Sequence, residues 1–318
     1  MKEIAISEIN DFYIGNAQYE AGGTGCTVIS CPKGAVGGVD VRGGGPATSE
    51  TDLLNPVKTV EVVHAVILSG GSAFGLGAAQ GVMEYLEEHR IGFEVGGYYV
   101  PIVPGASLFD LWVGDAKCRP DANLGYAAMV DAEKNHPQSG NVGVGTGCSV
   151  GSLIDTSRAM KSGLGIYAAQ WGDLKIGAVV AVNSVGNIYD DTQGKYLAGL
   201  LSKDGTKIIS SEEEMLASLS EAKPQFTTNT TLGCIITNAE LSKVTANKVA
   251  MMAHDAYAQM IQPVHTSLDG DIVFTLARGE VEADADIVGI AATKVVAEAI
   301  RRAAKVPSAY GYKGYLDL

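Results

Sequence analysis

The sequence predicts an α/β protein built as an αββα sandwich, in which two sheet layers lie between two helical layers. Three dense apolar runs carry this prediction, at residues 61–68, 175–182 and 272–277. None of them alternates between apolar and polar residues, so each predicts a strand that is buried on both faces. A long helical pattern lies near each run, and a sheet covered by helices buries the apolar faces of both kinds of element.

Strands are predicted where apolar and β-branched residues run together between turn residues. Two turns are especially clear: the glycine turn Ser69-Gly70-Gly71-Ser72 and the acidic turn Leu268-Asp269-Gly270-Asp271. In chain order, the predicted strands lie at residues 27–29, 36–41, 61–68, 175–182, 231–236 and 272–277.

Helices are predicted where apolar residues recur with a spacing of about 3.6 residues. In the segment 241–261, for example, Met252, Ala256 and Met260 fall near one face. The spacing Ser211-Glu212-Glu213-Glu214 is that of a capping box at a helix start. In chain order, the predicted helices lie at residues 73–88, at 123–132, from Ser211 onward, at 241–261, and around Ile287, Ile290, Ala291 and Val295.

Composition indicates one compact globular domain spanning residues 1–318. Hydrophobic residues make up 46% of the chain, charged residues make up 19%, and there are 40 glycines. These values are typical of a folded protein rich in loops and exclude an intrinsically disordered one. We find no internal repeat and no interdomain linker in the sequence.

The charge and the cysteines limit the classes of partner and cofactor. A formal net charge of −13 argues against nucleic acid or an anionic membrane as the main partner. The first eight residues include acids where a signal peptide is apolar, and no apolar run approaches the ~18 residues of a membrane helix. The five cysteines lack CxxC spacing, which predicts neither a zinc site nor a disulfide framework. We therefore expect a soluble cytoplasmic protein.

The glycine-rich stretches do not match cofactor or nucleophile motifs. The run Gly70-Gly71-Ser72-Ala73-Phe74 ends in Phe where a nucleophile elbow needs Gly. It also lacks the Lys-Ser/Thr of a phosphate-binding loop, and Cys148 stands where a dinucleotide fingerprint needs its third Gly. The sequence therefore predicts no nucleotide cofactor.

The chain changes character at the bond between Asn229 and Thr230. Residues 223–229 are polar and contain a proline, whereas residues 231–236 are apolar and predict a buried strand. A hydroxyl residue at this position suits a nucleophile generated by self-cleavage. An N-terminal Thr combines an attacking hydroxyl with an α-amine that acts as general base. The alternative is an ordinary Thr at a strand entry, where its β-branch suits the pleat.

Asp269 and Asp271 place two carboxylates immediately before the last predicted strand. An antiparallel return through the helix at 241–261 brings this turn beside Thr230, where carboxylates orient a hydroxyl and its ammonium group. Two alternatives stay open at this point. One is an ordinary turn that uses Asp and Gly for their backbone preferences. The other is a metal site that includes His265, although such sites usually need at least three ligands.

Three further residues are candidates for supporting roles. Asn183 follows a buried strand, where its amide either donates to an oxyanion or starts a turn. Lys161 lies in a glycine-rich turn after an apolar stretch, and it is either a partly buried cation or a solvated side chain. Tyr126 lies in apolar surroundings typical of a core residue whose hydroxyl has a partner.

Several runs together resemble one family, the L-aminopeptidase/D-esterase (DmpA-type) peptidases, across nearly the whole chain. This family includes β-peptidyl aminopeptidases and the 6-aminohexanoate (nylon) oligomer hydrolases. The runs are GGVDVRGG at residues 37–44, SETDLL at 49–54, HAVILSGGSAFGL at 64–76, GNVG at 140–143 and NTTLG at 229–233.

The resemblance implies an N-terminal-nucleophile-type hydrolase that is made as a precursor and cuts itself before its nucleophile. Asn229–Thr230 is then the scissile bond, and cleavage gives a large chain of residues 1–229 and a small chain of residues 230–318. Thr230 is the implied nucleophile of the small chain.

The resemblance also implies roles for the supporting residues. Asp269 and Asp271 match the acidic pair of the nylon-oligomer hydrolases, whereas other branches of the family have Ser and Glu there. Asn183 is similar to the oxyanion-stabilising Asn of the family, and Lys161 and Tyr126 are similar to its supporting Lys and Tyr.

The implied substrates are small peptides, aminoacyl amides or esters, hydrolysed through an acyl-enzyme without a cofactor. The implied assembly is a homo-oligomer of the cleaved pair, such as a tetramer. Two alternatives remain open. One is an acyltransferase like the ornithine acetyltransferases, which resemble this fold and also self-cleave before a Thr. The other is a binding protein of the same fold that never matures.

Overall fold

A computed structural model of the chain describes residues 1–218 and 229–318. The strands are β1 (Lys2–Glu3), β2 (Tyr13–Tyr19), β3 (Thr24–Val41), β4 (Ala47–Ser49), β5 (Val62–Ser69), β6 (Phe93–Val95), β7 (Tyr98–Val100), β8 (Gly105–Ser107), β9 (Ser149–Val150), β10 (Met160–Lys161), β11 (Leu164–Trp171), β12 (Leu174–Asn183), β13 (Asn187–Asp190), β14 (Lys195–Ala198), β15 (Thr230–Ala239), β16 (Ile261–Gln262) and β17 (Ile272–Val281). The α-helices are α1 (Ala78–Glu88), α2 (Ala122–Ala132), α3 (Ser211–Ala217), α4 (Lys243–Met260) and α5 (Ala285–Ala304).

The main strands form two layers that are joined through the long strand β3. In hydrogen-bonded order they run β1-β11-β12-β15-β17-β3-β5-β8-β4, and β2 also pairs with β3. Residues 36–41 of β3 pair with β17, whereas residues 24–30 pair with β2 and with β5. The pairing with β5 shifts register between Ser30 and Ala35. The C-terminal part of β3 therefore belongs to the layer that contains β17, and its N-terminal part belongs to the layer that contains β2 and β5.

Three apolar cores show that these layers are stacked. The central core combines Leu232 and Phe274 of one layer with Ile29 and Leu68 of the other. A second core joins α4 and α5 to the outer face of β11, β12 and β15. A third joins α1 and α2 to the outer face of β3 and β5. The order is helix, sheet, sheet, helix, and the predicted αββα sandwich is confirmed.

Close approach of backbone to backbone sets the distance between α5 and its sheet. Gly165 of β11 lies directly under this helix, and a Cβ added there would come within 1.8 Å of the Ala299 carbonyl oxygen. Only glycine leaves room for that contact. The helix begins after Asp284, whose carboxylate accepts hydrogen bonds from the Asp286 and Ile287 amides.

The local predictions differ from the structure in several places, and several strands, including β2, were not predicted. The two short strands at 27–29 and 36–41 belong to one continuous strand, β3. Helix α3 has Ser210 as its N-cap, one residue before the predicted start, and Ser210 Oγ accepts from the Glu213 amide. Strand β11 contains Gly165 and the polar Gln170 and was not predicted. Most of the polar stretch at 223–229 lies outside the described residues.

Membrane-spanning helices were searched for in residues 1–218 and 229–318. None of the helices there combines the length and the apolar character needed to cross a bilayer.

Candidate active site

Three strands meet at one edge of the sheet, and their ends bring the predicted site residues together. Strand β15 starts at Thr230, opposite Asn183 at the end of antiparallel β12. Strand β17 runs parallel to β15 on its other side, with Leu232 paired to Ile272. Parallel strands start at the same edge, so the acidic turn before β17 lies beside the start of β15. The sequence predicted this proximity, but its antiparallel geometry was wrong: helix α4 is a crossover between parallel strands.

The carbonyl group of Asn229 is held by two donors. The Thr230 hydroxyl donates to the Asn229 oxygen over 2.6 Å, and the Gly270 amide donates to the same oxygen over 2.8 Å. The Asn229 side chain is also fixed, because its amide donates to Ser152 Oγ over 2.6 Å. Thr230 is buried, with 3% of its surface exposed. The hydroxyl is therefore held against the carbonyl of its own preceding peptide bond.

The two carboxylates of the acidic turn are buried and have different partners. Asp271 Oδ1 accepts from the Thr231 amide over 2.8 Å. Asp269 Oδ2 accepts from the amide and the hydroxyl of Thr266 over 3.1 and 2.7 Å. Burial, and secondarily the nearby Asp271 charge, raise the pKa of Asp269 to about 7. Asp269 is thus poised to exchange a proton near neutral pH.

Both the amide nitrogen and the oxygen of the Asn183 side chain have hydrogen-bond partners. Its amide nitrogen donates to the Phe109 carbonyl over 2.8 Å, and its oxygen accepts from the Ser149 amide over 3.0 Å. The side chain therefore ties the end of β12 to two neighbouring segments. In the described part of the chain, the Asn183 side chain makes no hydrogen bond to Thr230 or to the Asn229 carbonyl.

Lys161 is completely buried rather than partly buried as the sequence suggested. Its ammonium group donates to the carbonyl oxygens of Gly145 and Cys148, over 3.1 and 2.7 Å, and to that of Ser162. Burial lowers the pKa of Lys161 to about 8. The Lys161 ammonium group thus holds the glycine-rich turn close to the segment that contains Ser149. The Ser149 amide in turn donates to Asn183.

Asp110 is a buried carboxylate that the sequence analysis missed. It accepts from the Thr24 hydroxyl over 2.6 Å and from the Gly71 amide over 2.7 Å. Burial raises the pKa of Asp110 to about 6, and the charge of Lys161 opposes that rise. The position of Asp110 between apolar residues was the available signal, because an unpaired carboxylate is rarely buried.

Tyr126 is not grouped with Thr230. It lies on α2 in the outer helical layer, where its hydroxyl donates to Glu88 over 2.7 Å. Its ring meets the edge of Tyr85, with ring centroids 5.4 Å apart. The predicted assignment of Tyr126 to the site is therefore corrected: helix α2 packs against α1, on the far side of a sheet layer from Thr230.

His265 contacts Asp271 instead of forming a metal centre. In the described parts of the chain, no three His, Cys, Asp or Glu side chains are arranged to hold a metal ion. His265 Nδ1 lies 2.8 Å from Asp271 Oδ2, and the His265 amide donates to the same oxygen over 3.1 Å. From the sequence, His265 was a candidate only as a metal ligand.

Two solved structures share the arrangement of the whole chain. A Burkholderia sp. beta-aminopeptidase superposes with a TM-score of 0.69 at 18% identity, over 98% of this chain and 92% of that one. The L-aminopeptidase D-Ala-esterase/amidase of Ochrobactrum anthropi gives 0.68 at 15% identity, over 94% and 85%. The latter is described as a variant of the Ntn hydrolase fold. The chain therefore has the fold of an Ntn hydrolase.

The sequence relatives define the family. The model of peptidase family S58 matches residues 5–310, and the chain belongs to that family. An uncharacterized aminopeptidase of Mycobacterium leprae is 45% identical over 271 residues, which cover 82% of this chain and 72% of the relative. A 6-aminohexanoate-oligomer endohydrolase of Paenarthrobacter ureafaciens is 32% identical over 314 residues, covering 92% and 83%. The protein is a hydrolase that acts on amide bonds, an aminopeptidase or amidase of its family.

Proposed function

We propose that the chain is a self-processing amidohydrolase whose nucleophile is Thr230. Cleavage of the Asn229–Thr230 bond frees the Thr230 amine and gives chains of residues 1–229 and 230–318. One observation carries the proposal. The Thr230 hydroxyl and the Gly270 amide both donate to the Asn229 carbonyl oxygen, over 2.6 and 2.8 Å.

Self-cleavage proceeds in two steps, acyl transfer to the Thr230 oxygen and hydrolysis of the resulting ester. The Thr230 oxygen attacks the Asn229 carbonyl carbon, a C–O bond forms, and the peptide C–N bond breaks. The hydroxyl proton ends on the departing nitrogen, which becomes the Thr230 α-amine. Water then hydrolyses the ester, leaving a carboxyl group on Asn229 and restoring the Thr230 hydroxyl. The Gly270 amide supports the first step because it points at the oxygen on which negative charge develops.

In the mature enzyme, Thr230 attacks the carbonyl carbon of a substrate, and its α-amine accepts the hydroxyl proton. The Gly270 amide, released by Asn229, then donates to the substrate oxyanion. Asn183 is the second donor in this proposal, after its amide exchanges the Phe109 carbonyl for the substrate. Lys161 supports Asn183 indirectly, by holding the carbonyl of Cys148 beside Ser149.

We propose that the substrates are small peptides, aminoacyl amides or esters that carry a free amine. The buried pair Asp269 and Asp271 adds negative charge beside Thr230, which favours an ammonium group nearby. The names of the relatives, an aminopeptidase and a 6-aminohexanoate-oligomer endohydrolase, support amide-linked substrates of this kind. Because Thr230 is buried in the uncut chain, the precursor itself is expected to be inactive.

Thr230→Ala tests the nucleophile. The variant is expected to remain one chain and to hydrolyse no aminoacyl amide, since Ala lacks the attacking oxygen. Denaturing gels and intact mass of the purified protein measure cleavage, and N-terminal sequencing of the small chain locates it. A wild-type chain that stays whole after prolonged incubation and hydrolyses no aminoacyl amide contradicts the proposal. Acetyl transfer from acetylornithine to glutamate would instead indicate the acyltransferase.

Thr231→Val is the matched control at the next position. The Thr231 hydroxyl is buried and has no hydrogen-bond partner among the described residues. Valine has nearly the same shape and leaves the Thr231 amide in place. The control is expected to cleave normally, so loss of cleavage in Thr230→Ala is assigned to the Thr230 hydroxyl and not to disturbance of the strand.

A further inference from the structure

His265 occupies a conformation that few residues adopt, and this conformation serves one contact. Its φ angle is 56°, in the left-handed region that side chains with a Cβ rarely enter. The backbone amide and ring Nδ1 of His265 both reach Asp271 Oδ2, over 3.1 and 2.8 Å. Ring Nε2 is buried without a hydrogen-bond partner in the described part of the chain. Within the described residues, the ring therefore makes one hydrogen bond, to Asp271.

This contact makes the two buried carboxylates unequal. Asp271 accepts from the Thr231 amide and the His265 amide, and His265 ring Nδ1 lies at hydrogen-bonding distance from it. Asp269 accepts from the amide and hydroxyl of Thr266, with a long contact of 3.5 Å from the Val185 amide. The two carboxylates are therefore held by different sets of donors, and the hydrogen bonds of His265 go to Asp271.

Asp271 also links His265 to the scissile junction. Its second oxygen holds the Thr231 amide, one residue beyond the proposed nucleophile. Any rotation of the Asp271 carboxylate moves the start of β15 and with it the Thr230 hydroxyl. A donor that holds Asp271 Oδ2, while Oδ1 accepts from the Thr231 amide, therefore supports the geometry of attack.

We propose that His265 is a positioning residue that acts through Asp271: by holding the Asp271 carboxylate in place, it orients the start of β15 and with it the Thr230 hydroxyl. This inference rests on the proposed self-cleavage at Thr230. It assigns to His265 a role that requires neither a metal nor contact with substrate.

The groups around His265 leave its ring free for this role. His254 of α4 packs edge to face against it, with ring centroids 4.8 Å apart, and burial lowers the pKa of His254 to about 4. His254 is therefore neutral near pH 7 and does not compete as a cation. Tyr257 of α4 lies 6.1 Å away, between ring centroids. Asp40 neighbours His254 at 3.8 Å and is itself paired with Arg42 of the same segment.

Two substitutions separate the ring donor from the backbone conformation. Glycine adopts the left-handed region freely, so His265→Gly keeps the backbone and its amide but removes the ring. Asparagine tolerates the same region and carries a side-chain N–H near the position of Nδ1, so His265→Asn keeps a donor. Precursors are made by cell-free translation, and the rate of cleavage is followed on gels.

His265→Gly is expected to cleave about tenfold more slowly than wild type, because one hydrogen bond to the Asp271 carboxylate is lost. His265→Asn, which keeps a side-chain donor, is expected to restore most of the rate. A slower His265→Gly with no rescue by Asn indicates a merely structural role and overturns the inference.

An NMR measurement tests the arrangement without relying on cleavage. In the uncut Thr230→Ala chain, the neutral His265 ring is expected to carry its proton on Nδ1, and ¹H–¹⁵N correlations of the imidazole show which nitrogen holds it. A proton on Nε2 overturns the inference. A wild-type precursor that never cleaves overturns the proposed function as well, whereas normal cleavage by His265→Gly overturns this inference alone.

Discussion

The peptide bond between Asn229 and Thr230 is surrounded by groups that polarise it. Its carbonyl oxygen accepts from a hydroxyl on one side and from a backbone amide on the other. The Asn229 side chain is anchored on Ser152, so the bond has little freedom to turn away.

Gly270→Ala is expected to slow self-cleavage at least tenfold. A Cβ at this position lies 2.7 Å from Thr230 Oγ1 and 2.8 Å from the Gly45 carbonyl oxygen, so it pushes the hydroxyl away while keeping the Gly270 amide. Displacement of an attacking atom by about 1 Å costs about 10²-fold in rate. The fraction of cut chain on denaturing gels over time measures the effect.

Gly77→Ala is the control for that change. A Cβ at Gly77 meets no atom within 4 Å, and its φ of −60° suits alanine. The control is expected to cleave at the wild-type rate. Equal rates for Gly270→Ala and Gly77→Ala would contradict the placement of the Thr230 hydroxyl against Gly270.

Single residues were predictable from sequence when their neighbours carried a distinctive local pattern. Thr230 stands at a sharp change from polar to apolar, and Asp269 and Asp271 stand in a turn before a strand. His265 lacked such a signal, and for Asp110 the only signal was its position between apolar residues, because the partners of both lie across a turn or far away in sequence. Gly71, which donates to Asp110, is 39 residues distant.

At the scale of elements, helix α4 sets where the acidic turn lies. It crosses from the end of β15 to the start of β17 and makes the two strands parallel neighbours. The Tyr257 hydroxyl, on α4, donates to the Ile272 carbonyl at the first residue of β17 over 3.2 Å. This hydrogen bond links helix α4 to the first residue of β17, which immediately follows Asp271.

Tyr257→Phe is expected to lower the free energy of unfolding by about 1 kcal/mol, the usual contribution of one hydrogen bond. Urea unfolding in the uncut Thr230→Ala background measures it on a single continuous chain. Tyr167→Phe is the matched control, since this tyrosine is also buried and its hydroxyl makes no hydrogen bond within the described residues. Equal losses for both variants would argue against the link between α4 and β17.

Among the described residues, local patterns predicted the five α-helices and five of the seventeen strands, but not how the strands associate. The periodic apolar residues of α4 and the dense run at the start of β17 indicated their type correctly. The sense of the β15–β17 pairing was predicted wrongly, because both senses bury the same apolar faces. The continuity of β3 was also missed, since glycines at its centre weaken the strand pattern.

At the scale of the whole molecule, the core between the two sheet layers holds the site edge in place. Phe274 of β17 is completely buried in this central core, three residues after Asp271. Both layers contribute side chains to the core, so a cavity here loosens the packing on which the strand ends depend.

Phe274→Ala is expected to cost about 3–5 kcal/mol of folding free energy, the usual loss for a buried phenylalanine. Thermal and urea unfolding in the Thr230→Ala background measure it. Phe93→Ala is the control: this ring is 47% exposed on the β6–β7 hairpin, and its loss is expected to cost about 0.5 kcal/mol or less. A Phe274→Ala variant as stable as Phe93→Ala would contradict the stacked arrangement of the layers.

The sequence by itself determined the layered fold class, the break in character at Asn229–Thr230, and the acidic turn. Each is a local or periodic pattern, and burial acts on such patterns directly. The tertiary structure decided the parallel pairing that places the expected acidic turn beside Thr230, brought Asn183 to the same edge, put Tyr126 elsewhere and joined His265 to Asp271. Most of these placements follow from strand pairing between distant segments, which no local pattern specifies.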